Sequence, residues 1–98
     1  MESLKREDWI IVIVNSACET AIVYRFYGND AEIKKVLVQL AENDMKNDEE
    51  NVVHRINNID DVEVADDEMT CDVYYKEYTI HYKAQKFDSL QIQKSRMR

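Results

Sequence analysis

The chain has 98 residues, 45% of them hydrophobic, with one glycine, no proline and a formal net charge of −7. That length is one domain with room for one modest core, and the hydrophobic share excludes a disordered chain. A lone Gly28 excludes a P-loop and a dinucleotide fingerprint, which need several glycines at fixed spacing.

Residues 1–7 read as a charged, flexible start. Lys5 and Arg6 before an apolar run, with Ser16-Ala17-Cys18 after it, have the outline of a lipoprotein signal, but the run is short and Glu2, Glu7 and Asp8 spoil a basic leader. No stretch approaches the length of a membrane-spanning helix, so the expectation is a cytoplasmic protein. Residues 8–15 are instead the clearest strand: Trp9-Ile10-Ile11-Val12-Ile13-Val14 is β-branched and does not alternate, which predicts a central strand covered on both faces. After a turn at 15–19, residues 20–27 form a second strand rich in β-formers, expected to pair antiparallel with the first.

Asn29 as N-cap with Glu32 three residues on is a variant of the capping box. Ile33, Val36, Leu37, Leu40, Ala41 and Met45 then repeat at helical spacing, which predicts a helix over about 30–46 lying on the sheet. Residues 47–68 read two ways. Val52, Val53 and Ile56 suit a short helix led by acidic residues, while Val62 and Val64 suit a short edge strand; in either reading the segment is polar and peripheral.

Over 69–87 the alternation changes phase. Met69, Cys71, Val73 and Tyr75 share one parity, then Tyr78, Ile80, Tyr82 and Ala84 take the other. A two-residue hairpin at Lys76-Glu77 is the preferred reading, pairing Tyr75 with Tyr78, Val73 with Ile80 and Cys71 with Tyr82. Lys-Glu is poor chemistry for such a turn, and a bulge in one long strand is the alternative. Residues 88–98 end in a basic tail and are expected to be flexible. The fold expected is α+β: a four-stranded, mainly antiparallel sheet with one helix on one face, in the order β-β-α-β-β.

The charge is regional. Residues 42–72 hold twelve Asp or Glu against Lys46 and Arg55 alone. Such acidity suits a basic protein partner and disfavours direct binding to nucleic acid, whose phosphates repel it. Asp44 to Glu49 fails the calcium-loop pattern for want of a glycine at its sixth position. His54 and His81 are the only histidines, Cys18 and Cys71 the only cysteines, and neither set has metal-ligand or redox spacing. Strand parity puts Cys71 and His81 on opposite faces, against a nucleophile–base pair. Tyr74 and His81 are expected on the open face of the sheet, where aromatic side chains serve as contact anchors.

The segments Tyr75-Lys76-Glu77-Tyr78-Thr79-Ile80-His81-Tyr82-Lys83-Ala84 and Tyr24-Arg25-Phe26-Tyr27-Gly28 resemble small uncharacterised accessory proteins of Firmicutes phages and conjugative elements. The resemblance covers about a third of the chain and carries no functional residue over. It implies a mobile-element setting, where inhibitors of host defence are common. The expected function is therefore a non-enzymatic protein-binding domain without cofactor or metal, inhibiting a nucleic-acid-handling protein. Its contact residues would be Asp60, Asp61, Glu63, Asp66, Asp67, Glu68, Tyr74 and His81. The alternative is a structural module that forms a homodimer through its open sheet face.

Overall fold

A computed structural model describes residues 5–87. Of the ends expected to be flexible, 1–7 and 88–98, residues 1–4 and 88–98 lie outside the described residues, whereas Glu7 opens the first strand and pairs with Lys86. Strand β1 (Glu7–Asn15) turns into β2 (Ala21–Gly28), and helix α1 (Asp30–Asn47) follows. A 3-10 turn at Glu49–Asn51 leads to β3 (Val52–His54), and another at Ile59–Asp61 to β4 (Glu63–Val64). The hairpin of β5 (Glu68–Tyr75) and β6 (Thr79–Lys86) completes the order. The strands form one antiparallel sheet in the order β2-β1-β6-β5-β3, with β4 also paired to β5. The α+β architecture with one helix is as expected, but the sheet has six strands rather than four. The two additional strands come from the ambiguous 47–68 segment: Val52 and Val53 are strand, not helix.

Helix α1 begins where the capping box predicts. Asn29 Oδ1 accepts from the Glu32 backbone N–H at 2.9 Å, and Glu32 Oε1 accepts from the Asn29 N–H at 2.9 Å. Such caps stabilise by about 1 kcal/mol. Ile33, Leu37, Val38, Ala41 and Met45 are buried, meeting Trp9, Ile11 and Ile13 of β1, Met69, Cys71, Val73 and Tyr75 of β5, and Ile80, Tyr82 and Ala84 of β6 in one core. Ile56 and Val62 are buried in the same core, so the 47–68 segment is less peripheral than its polarity suggests. Gly28, between β2 and α1, has no positive φ. It is close approach that calls for glycine: a Cβ there would meet a Phe26 ring carbon at 2.6 Å.

The β5–β6 register puts Cys71 opposite Tyr82 and Val73 opposite Ile80. The Tyr75 N–H donates to the Tyr78 carbonyl at 2.8 Å, closing the two-residue hairpin and ruling out the bulge. Neither Lys76 nor Glu77 takes a left-handed φ. The Lys76 N–H is held by the Asn51 carbonyl at 2.9 Å, and the Tyr75 and Tyr78 rings stack at 4.4 Å. Tertiary contacts thus hold a turn that its own sequence favours poorly.

One expectation fails with consequence. β1 is an interior strand, but only one face is covered. Trp9, Ile11 and Ile13 are buried, Ile10 and Val12 are half-buried, and Val14 is exposed. The run lacks alternation because its open face is apolar, not because a second layer lies on it.

Candidate protein-binding surfaces

The predicted contact residues separate into two places. Asp60 and Asp61 lie in the 3-10 turn before β4, Glu63 is on β4, and Asp66 and Asp67 are in the bend to β5. That bend is closed by the Ala65 N–H donating to the Glu68 carbonyl at 2.9 Å. Tyr74 stands at the other end of β5, roughly 14 Å from the β4 pairing at Thr70 by the strand rise. It is exposed and packs edge-on against His54, ring centroids 5.9 Å apart. His81 is half-buried on the open face, its Nδ1 at 2.6 Å from Asp72 Oδ1. It bridges β6 to β5 rather than standing clear as an anchor.

Ten of the twelve acids of 42–72 sort into two kinds; the other two, Glu42 on α1 and Glu50 in the first 3-10 turn, lie away from β4. Asp44 accepts from the Tyr82 hydroxyl at 2.6 Å, and Asp48 accepts from Tyr78. Glu49 pairs with Arg55 at 3.0 Å, and Glu68 with Lys83 at 3.2 Å. Asp61 accepts from the Asn57 and Asn58 N–H groups at 3.1 and 3.2 Å, a local capping role. Asp72 holds His81. The carboxylates of Asp60, Glu63, Asp66 and Asp67, by contrast, have no ion-pair or hydrogen-bond partner among the described residues, and all four residues are exposed. They form an acidic strip at the β4 edge.

Sequence reasoning missed a second surface. Ile22, Val23, Tyr24 and Tyr27 of β2 and Val14 of β1 are exposed large hydrophobics gathered at the opposite edge of the sheet. Ile10, Val12 and Val14 continue this apolar ground on the open face and line a shallow depression with His81, Lys83 and Gln85. The available signal was β2 itself, which has the composition of an interior strand and a single charge, Arg25. Recognising it as an edge requires the strand order.

The two cysteines differ in their surroundings. Cys71 is buried, and burial, reinforced by the charges of Asp72 and Asp61, pushes its thiol up to about 12. It is therefore no thiolate nucleophile at neutral pH. Cys18 is exposed and unbridged. Among the described residues no group of three His, Cys, Asp or Glu side chains is placed to hold a metal, and no helix is long and apolar enough to cross a membrane. Compared with protein-family models, curated proteins and solved structures, the chain matches none.

Proposed function

We propose that this chain is a non-enzymatic protein-binding domain that engages a basic, nucleic-acid-handling partner through its β4 edge, as an inhibitor in a mobile-element setting. The observation carrying this reading is the division of the acids. Those at 44, 48, 49, 61, 68 and 72 serve the fold, whereas Asp60, Glu63, Asp66 and Asp67 are clustered and exposed without a fold-holding role. Such a cluster raises the encounter rate with a positively charged surface, and salt weakens it. Tyr74 of β5, packed against His54 of β3, supplies an aromatic anchor further along the strand that carries β4.

Reversing Asp60, Glu63, Asp66 and Asp67 to lysine should leave the far-UV CD spectrum unchanged. It should slow association with the basic partner at least tenfold at low salt. The partner would first be captured from a bacterial lysate, identified by mass, and measured as a purified protein. Equal association rates for both forms would defeat the reading. Asp61 is kept out of this variant because its capping bonds would confound it. A second reading, self-association through the open sheet face, is favoured by the apolar group Ile10, Val12, Val14 and Val23.

A further inference from the structure

The two edges of this sheet are built differently. At one, β3 and β4 have three and two residues, and the register shifts between Val52 and His54. Short strands, a register shift and surrounding carboxylates are the usual means of blunting an edge against further pairing. The other edge, β2, has none of them. It has eight residues in unbroken register with β1, from Glu7 opposite Gly28 to Val14 opposite Ala21. It contains no lysine or proline. Its one charge, Arg25, turns toward Asp8 of β1 at 3.7 Å and lies over the Phe87 ring at 5.1 Å. Ile22, Val23, Tyr24 and Tyr27 are 55%, 61%, 45% and 56% exposed.

The hydrogen-bond alternation shows which backbone groups this edge offers. Tyr75 bonds Tyr78, so the even-numbered residues of β6 bond toward β5 and the odd-numbered ones toward β1. The Ser16 N–H bonds to the Thr79 carbonyl at 2.9 Å in the same phase. Ile10, Val12 and Val14 therefore bond toward β6, and Trp9, Ile11 and Ile13 toward β2. It follows that Ile22, Tyr24 and Phe26 bond inward, while Ala21, Val23, Arg25 and Tyr27 aim their N–H and C=O groups away from the sheet.

We propose that two copies of this chain pair antiparallel along β2, with Tyr24 opposite Tyr24 of the second copy, making one sheet continuous through both. A two-fold axis perpendicular to the sheet keeps equivalent faces together only if the pairing centres on a residue. Centred on Tyr24, it places Ala21 opposite Tyr27 and Val23 opposite Arg25, so every outward donor and acceptor from 21 to 27 is satisfied. On the helix side Ile22, Tyr24 and Phe26 then meet Phe26, Tyr24 and Ile22 of the second copy, an apolar and aromatic layer throughout. Centring on Arg25 opposes two like charges, and centring on Val23 leaves Tyr27 unpaired. Edge pairing is favoured over stacking of the open faces because cross-strand polar pairs, Lys83 with Glu68 and His81 with Asp72, lie on that face. The inference is independent of the acidic-strip reading, since β2 is at the opposite edge.

The test is the solution mass by sedimentation equilibrium at micromolar concentrations, expected to be twice the 11.6 kDa of the chain. Val23→Pro removes an outward N–H while sparing the β1–β2 ladder, and should halve the mass with the CD spectrum unchanged. Tyr24→Lys and Tyr24→Glu should each be monomeric, and an equimolar mixture should restore a dimer containing one of each. A wild-type monomer at these concentrations overturns the proposal. So does a dimer that survives both Val23→Pro and Tyr24→Lys, or one lost only in Val12→Lys, which would place the contact on the open face.

Discussion

Trp9→Ala is expected to cost about 3–5 kcal/mol of folding free energy, against a total of about 5–15 kcal/mol for a domain of this size. Trp9 is 1% exposed, and its indole N–H donates to the Gly28 carbonyl at 3.0 Å. It thereby ties β1 to the point where β2 gives way to α1. Lys86 lies over its ring at 5.5 Å and pairs with Glu7 at 3.1 Å, sealing the core at that end. Trp9→Phe keeps most of the buried ring and loses the hydrogen bond, for an expected cost of about 1–2 kcal/mol. Urea unfolding followed by far-UV CD measures both, since the variants lack the only tryptophan. A loss below 1 kcal/mol for alanine would show that Trp9 does not anchor this junction.

Tyr82→Phe is expected to cost about 1.5–3 kcal/mol, the range for a hydrogen bond to a charged group. Tyr82 is fully buried and donates to Asp44 on α1, so its loss leaves a carboxylate short of a partner beneath the helix. Tyr75 is the control: it is also buried, but its hydroxyl has no partner among the described residues. Tyr75→Phe should therefore not destabilise, and is expected to stabilise by about 1 kcal/mol, because burying an unpaired hydroxyl costs free energy. Equal losses in the two variants would mean that Asp44 does not hold Tyr82.

The same tyrosines set an alkaline limit. Burial, then the Asp44 bond, raises the pKa of Tyr82. The Asp48 hydrogen bond, with burial and the charge of Asp48, pushes Tyr78 from 10.0 up to about 12. A phenol raised in the folded state contributes its full stability below the unfolded value. Above that value the unfolded chain ionises first, so the contribution falls and is lost as pH rises through the folded value. Unfolding by base should begin above pH 10 and is read by loss of far-UV CD signal, because the exposed Tyr24, Tyr27 and Tyr74 add tyrosinate absorbance without unfolding. A CD signal unchanged up to about pH 12 would show that these phenols do not limit stability.

These residues also mark how far the sequence could be read. The β5–β6 hairpin was legible because the apolar phase changes once, at Lys76-Glu77, and a change of parity has few structural meanings. The helix was legible because its cap and stripe are local. The sorting of the acids was not, because it depends on partners far away in the chain, such as Tyr82 for Asp44 and Tyr78 for Asp48. The composition of β2 suits an interior strand as well as an edge, and only its position beyond β1 reveals the exposed surface. β3 and β4 are too short for periodicity to identify, and pairing with β5 defines them.

The sheet order has a consequence for biosynthesis. β1 comes first in the chain, yet it is bordered by β6, the last strand of the described residues. Closing that long loop is entropically costly and slows folding. A nascent chain that has not yet reached Thr79 has a β1–β2 hairpin whose inner strand lacks its second neighbour and a helix with little sheet to cover. Until β6 is in place, the apolar run from Trp9 to Val14 lacks one of its two neighbouring strands, and partly folded chains expose it to non-native contacts.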